Sequence, residues 1–321
     1  MQRWPHMIPL AIITLILLAL VASYAAYARD MQTIRARLAA TSILIPGPSG
    51  PVEYTTGGSG TAVLALHGAG GGFDQGALFA TTFFGDDFHW IAPSRFGYLR
   101  FPLPDDASTA AQADAFAALL DGLGIERVAI IAISGGVPPA LQFAARYPDR
   151  TSALVLLSSA PHTPYTTEQQ GLPIPAWLYQ ALFSSNFPYW ALSKTARPAL
   201  EGIFDVTPEL RSGMSEEERV FLAGMVDLFQ PVTQRLDGVR NEGAAIDPAA
   251  QYDLGAITAP TLIIHSRDDG LNPFEIAQGL AREIAGAELV PLESGGHLML
   301  GHHDGVRARV SGFLTTHTGG A

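Results

Sequence analysis

The chain has 321 residues, 48% of them hydrophobic and 15% charged, with a formal net charge of −11. That composition supports a sizeable core and argues against disorder, while its few scattered cations form no basic stripe for a nucleic acid. The absence of cysteine excludes disulfides, thiol catalysis and cysteine-ligated metals together.

The first element is "MIPLAIITLILLALVASYAAYA", Met7 to Ala28, which contains no charged residue. It is long enough to cross a bilayer core as a helix, so residues 1–29 are expected to form a single-pass N-terminal anchor. A cleaved signal peptide is the alternative, because Ala26-Tyr27-Ala28 fits a small-x-small cleavage site. That outcome would leave the protein secreted or periplasmic, but the apolar stretch exceeds a typical signal core and favours the anchor. Arg3 precedes the segment, whereas Arg29, Arg35 and Arg37 follow it, a bias towards a cytoplasmic C-terminal side. Residues 30–50 are expected to be a linker, with a short amphipathic helix over Asp30–Ala40. "TSILIPGPSGPVEYTTGGSG" then suggests two short strands in a hairpin broken by Pro and Gly.

From Thr61 a regular alternation begins. The strand-length apolar runs are "AVLALH", "FHWIAPS", "RVAIIAIS", "SALVLLSS", "TLIIHS" and "AELVPL", separated by helical stretches such as "STAAQADAFAALLDGLG". Continuous apolar strands alternating with helices predict an α/β fold with a mostly parallel sheet covered on both faces, over residues 51–160 and 261–321. Residues 161–260 break the pattern. They contain no strand run but many aromatics, among them Trp177, Tyr179, Phe183, Tyr189, Trp190 and Phe229. Ser215-x-x-Glu218 fits a capping box opening a helix whose apolar face includes Phe221, Met225 and Phe229. This insertion is expected to be a helical cap over the carboxyl edge of the sheet, where such folds carry their functional loops.

Four stretches at strand ends could carry chemistry. In "IIAISGGVPPAL", Ser134 sits on a sharp strand-to-helix turn, with glycines for close passage and Pro138 and Pro139 in the first helical turn. Such a turn lifts a serine hydroxyl to the sheet edge. Ala132, where a glycine is usual, adds only a methyl group and strains the turn slightly. In "ALHGAGGGFDQG" small residues leave backbone N–H groups unobstructed, as an acyl-transfer oxyanion site requires. Ala69 or Gly70 is the expected donor there, beside the Gly135 N–H. The spacing does not fit a phosphate loop, and His67 reads as a structural hydrogen-bonder. "LIIHSRDDGLNP" offers Asp268 and Asp269, one of which can cap the turn while the other serves as an acid. In "LESGGHLML" His297 follows the last strand in a Gly-Gly loop, with His302 and His303 as rivals near the final helix.

These stretches resemble the α/β-hydrolase superfamily from about Val52 to the C-terminus, carried by "LHGAGGGFDQG", "APSRFGY", "AISGGVPPALQFAARYPDR", "SALVLLSSAP", "HSRDDGLNP" and "ESGGHLML". In relatives the acid commonly stands four residues before a proline, as Asp269 stands before Pro273. The resemblance implies Ser134 as nucleophile, His297 as base and Asp269 as acid, with no metal or organic cofactor. Arg95 stands where many relatives carry aspartate. The implied activity is carboxylic ester hydrolysis of a small-molecule substrate through an acyl-enzyme, with an apolar acyl portion suggested by the aromatic cap. Two alternatives remain: a C–C bond hydrolase, lyase or cofactor-free peroxidase with the same triad, or a catalytically silent, membrane-tethered binding module.

Overall fold

In the computed structural model the described residues are 7–169 and 176–318, so Arg3 lies outside them, as does the side chain of Tyr179. One helix, α1 (Met7–Thr41), takes up the apolar segment and the stretch after it. The helix expected over Asp30–Ala40 is continuous with the apolar segment, because no Gly or Pro falls between Ala28 and Thr41 to interrupt the hydrogen-bond ladder. Two environments share this helix. Large apolar side chains from Ile12 to Val21 are 51–66% exposed, whereas Met31 and Leu38 are buried against the body.

The expected hairpin forms from β1 (Ile43–Ile45) and β2 (Val52–Gly57), paired antiparallel. The alternation then runs β3 (Ala62–Leu66), α2 (Phe73–Phe83), β4 (His89–Pro93), α3 (Thr109–Gly122), β5 (Val128–Ile133), α4 (Val137–Arg146) and β6 (Thr151–Leu157). Six helices follow: α5 (Ala176–Phe183), α6 (Asn186–Thr195), α7 (Arg197–Glu201), α8 (Pro208–Gly213), α9 (Glu216–Leu228) and α10 (Leu236–Asn241). The chain closes with β7 (Thr261–Ser266), α11 (Phe274–Glu283), β8 (Glu288–Leu292) and α12 (His303–Thr318).

The eight strands form one sheet in the order β1-β2-β4-β3-β5-β6-β7-β8, parallel from β4 to β8. Residues alternate strictly between its faces. Ala129, Ile131 and Ile133 of β5 join one core cluster with Phe79 and Phe83 of α2 and Phe313 of α12. Ile130 and Ala132 join the other, with Phe116 of α3 and Phe143 of α4. Each of these isoleucines and phenylalanines contributes about 1.5–3 kcal/mol by leaving water, which is why β5 reads as an unbroken apolar run. Ala132 keeps strand register with Leu66 and Leu156.

Strand order places the functional loops. After β3 the chain moves to β4 on one side and returns to β5 on the other, so the loops after β3 and β5 diverge and leave a crevice. The helices between β6 and β7 lie against those loops. Ser215 and Glu218 form the expected capping box at α9, and Glu218 also accepts from the amides of Gly301 and His303 beyond β8. Arg235, only 1% exposed, donates to Gly71 O and forms a two-point ion pair with Asp74 at the start of α2.

Helix α1 docks on the same insertion. Tyr27 packs edge-on against Phe187 and Trp190 of α6, while Asp30 accepts from Trp190 Nε1 at 3.0 Å and pairs with Lys194. Further along, Arg37 reaches Asp74 at 3.5 Å.

Candidate functional site

Ser134 occupies the first position after β5 with φ +50°, in the left-handed region. A non-glycine residue there is held against its preference, and α4 begins three residues later. Five non-glycine residues among those described have such a φ: Leu99, Ser134, Ser158, Asp205 and Met299. Each borders the carboxyl edge of the sheet or the helices lying on it, and strained backbone of this kind gathers where geometry serves function.

Asp269 and His297 meet beyond the ends of β7 and β8. His297 Nδ1 stands 2.9 and 3.1 Å from the two carboxylate oxygens of Asp269. The same carboxylate accepts from the amides of Leu271 and Asn272, both at 2.9 Å, and faces His265 Nε2 at 3.2 Å. Because Ser159 N–H donates to His265 Nδ1, that ring must carry its proton on Nε2, where it donates to the Asn272 carbonyl and towards Asp269. Burial alone would raise the Asp269 carboxyl, but the His297 charge and the two imidazole hydrogen bonds hold it well below the usual carboxylate range. For His297 burial works downwards, yet the charge and hydrogen bond of Asp269 outweigh it and raise the imidazole above its ordinary value.

Ser134 and His297 are linked through neighbours. Asn272 Nδ2 lies 3.4 Å from Ser134 Oγ and donates to Ser158 O at 3.0 Å, and Ser158 Oγ donates to His297 O at 2.8 Å. Among the described residues no hydrogen bond joins His297 to Ser134 directly. Sites of this kind commonly close that contact only with substrate bound. Asp268, the neighbouring carboxylate, accepts from Gly295 and Gly296 and fixes the loop that presents His297.

The loop after β3 carries the sequence-expected oxyanion donors Ala69 and Gly70 to the same edge. Gly70 N–H is directed to Tyr98 Oη at 3.3 Å; its φ of +72° and the Phe229 ring, 1.9 Å from where a Cβ would stand, require glycine here. The Ala69 amide nitrogen is 3.2 Å from the position of a Cβ on Gly135, so the backbones on either side of the crevice approach closely. His67 donates from Nδ1 to Gly68 O and accepts the Arg95 N–H on Nε2, the structural role its sequence context suggests. Burial, then the charges of Arg95 and Arg235, push its pKa far down. His303 is likewise structural, bonded through Nε2 to Leu298 O.

Several contributors escape the sequence pattern. Asn272 lies within the stretch read for its aspartates. Asp205, from the helical insertion, accepts the Gly270 N–H at 2.8 Å, and burial raises its carboxyl. Glu242, also from the insertion, binds Arg95 and Tyr98. A cavity of about 190 Å³ opens beside Glu242, lined also by Ala69, Gly135, Pro138, Ala160 and Ile246 among others.

Comparison with known proteins agrees with this architecture. The family described as alpha/beta hydrolase fold matches residues 61–304. An uncharacterized hydrolase of Bacillus subtilis (strain 168), YcgS, is 31% identical over 266 residues, which is 78% of this chain and 89% of that protein. A 2-hydroxymuconate semialdehyde hydrolase of Pseudomonas putida is 27% identical, covering 80% of this chain and 88% of its own. The solved structure of an alpha/beta hydrolase fold protein from Nakamurella multipartita superposes with a TM-score of 0.75 at 26% identity, over 85% of this chain and 99% of that one.

Proposed function

Since the chain belongs to the α/β-hydrolase fold family, we propose that it is a serine hydrolase acting on carboxylic esters, with Ser134 as nucleophile, His297 as base and Asp269 as orienting acid. The observation that carries the reading is the Asp269–His297 pair beside a serine held at positive φ ahead of a helix. Ser134 Oγ bonds to the substrate carbonyl carbon as its proton passes to His297 Nε2. Asp269 keeps the Nδ1 proton in place and stabilises the imidazolium. The carbonyl electrons move onto oxygen, which the N–H groups of Ala69 and Gly135 receive. Gly70 is the weaker candidate because its N–H is already engaged by Tyr98. Collapse of this intermediate expels the alcohol, which takes the proton from His297. Water then repeats the sequence on the acyl-enzyme and frees Ser134. The helical insertion acts as a cap, closing the crevice over an apolar acyl portion.

C–C bond hydrolysis is the second reading, favoured by the likeness to the Pseudomonas putida 2-hydroxymuconate semialdehyde hydrolase. A panel of short and long p-nitrophenyl esters, run beside a vinylogous diketone cleaved at carbon, separates the two. Turnover of the esters supports the ester reading, and turnover confined to the diketone replaces it.

We also infer that α1 is a retained single-pass anchor. Cleavage after Ala28 would remove Tyr27 from its contacts with Phe187 and Trp190, whereas a signal peptide has no reason to pack on the mature domain. N-terminal sequencing of protein extracted from membranes tests this: a start before Met7 agrees with it, and a start at Arg29 contradicts it.

A further inference from the structure

The wall of the cavity beside the oxyanion amides carries a carboxylate already bound to a cation. Glu242 opens a short turn, Glu242–Ala245, that follows α10. Arg95 grips it at two points, Nη2 to Oε1 at 2.5 Å and Nη1 to Oε2 at 3.3 Å, and the Tyr98 hydroxyl donates to the same Oε1. The guanidinium is itself held from behind, its Nε donating to His67 O at 3.1 Å. Its side chain is 8% exposed, against 22% for Glu242. A Cβ on Gly135 would lie 2.7 Å from Glu242 Oε2 and 3.2 Å from Arg95 Nη2. Glycine immediately after Ser134 is therefore what allows this ion pair to reach the acyl site.

We propose that Arg95 and Tyr98 form a carboxylate-binding subsite next to the reacting carbonyl, and that Glu242 fills it with the protein's own carboxylate, selecting substrates that are uncharged at that position. The proposal rests on the hydrolase reading for its substrate side. A planar guanidinium with two parallel N–H groups matches any carboxylate, and burial followed by the Glu242 charge raises the Tyr98 phenol well above its ordinary value, so it remains a donor. A substrate carboxylate entering the cavity meets a guanidinium already paired. It must displace Glu242 or stay desolvated without a partner, and both outcomes are costly. A neutral substrate leaves the pair undisturbed. Glu242 belongs to the short turn Glu242–Ala245 of the insertion rather than to a strand loop, so selection on substrate charge is set by the insertion while the chemistry belongs to the sheet.

The test uses two esters of matched length, p-nitrophenyl butyrate and mono-p-nitrophenyl succinate, on the full chain and on Glu242→Ala. The wild type should prefer the neutral ester, and the variant should shift the kcat/KM ratio towards the succinate by about tenfold or more, the scale of a charge-assisted hydrogen bond. Acetate, compared with chloride at equal ionic strength, should raise the Tm of Glu242→Ala and leave the wild type unmoved. The response should vanish in the Arg95→Met/Glu242→Ala double variant. If Glu242→Ala does not fold, Glu242→Gly takes its place in both comparisons, since it also vacates the subsite. An unchanged ratio with no acetate response overturns the subsite. Absence of any ester turnover by the wild type counts against the hydrolase reading instead, and the acetate experiment still decides the subsite.

Discussion

Asp269 and Glu242 are carboxylates at the same edge of one sheet, and they are held in opposite ways. Asp269 is surrounded by two backbone amides and two imidazoles; Glu242 is bound by a guanidinium and a phenol. An imidazole can take up and release a proton near neutral pH, whereas a guanidinium cannot. The difference teaches how to assign the two groups. A carboxylate whose partner can titrate is able to steer proton transfer, and a carboxylate tied to a permanent cation can only occupy space and charge.

The largest expected effect breaks the first pairing. Asp269→Asn keeps the shape of the side chain but presents an amide to His297 Nδ1, favouring the wrong tautomer, and kcat on a p-nitrophenyl ester should fall about 10⁴-fold. Steady-state kinetics with circular dichroism to confirm folding measure it. A loss under tenfold would remove Asp269 from the catalytic role.

The pH profile sharpens the same contrast. A general base must be neutral, and His297 is raised by Asp269, so the rise of kcat/KM with pH should have its midpoint above the ~6.5 of an unperturbed histidine. In Asp269→Asn that midpoint should move down. Stability follows with its own sign. The raised His297 pKa contributes stability that is complete below the unfolded value and is lost as pH rises through the folded one. The depressed Asp269 pKa contributes above its unfolded value and is lost as pH falls through the folded one. Together they are strongest between roughly pH 4 and 6.5, which denaturant titrations across pH would read.

Arg235 and Asp74 provide the purely structural counterpart. Both are buried, and the pair ties the insertion to the loop after β3. Arg235→Met leaves the buried Asp74 carboxylate with the Gln75 N–H and, among the described residues, no cation but the distant, half-exposed Arg37, and should destabilise the protein by about 3–5 kcal/mol in urea unfolding. Smallest is Ser215→Ala, which removes the α9 cap and should cost about 1 kcal/mol in the same assay.

The triad candidates were legible because each is announced by its own strand end. An apolar run stops and a reactive side chain stands in the turn that follows, among small residues at Ser134 and His297 and beside a second carboxylate, Asp268, at Asp269. Ser134, Asp269 and His297 all have that local signature. The α9 cap was legible for the same reason, since Ser215 and Glu218 are three residues apart. Glu242 and Arg235 have no such signature: their partners Arg95 and Asp74 lie 147 and 161 residues away, and no short-range pattern encodes a contact of that span. The role of Arg95 likewise depends on Glu242, which only the folded chain brings to it. Helix α1 shows the limit from the other side: its apolar and amphipathic parts suit different surroundings, and the residue pattern follows the surroundings rather than the ends of the helix.

The account depends most on Ser134 being a nucleophile that His297 activates. Treating the full chain with a fluorophosphonate and mapping the adduct by peptide mass spectrometry tests this directly. A single adduct on Ser134 is predicted, absent in Ser134→Ala and strongly slowed in His297→Ala. An unmodified protein, or an adduct that survives in Ser134→Ala, would contradict it.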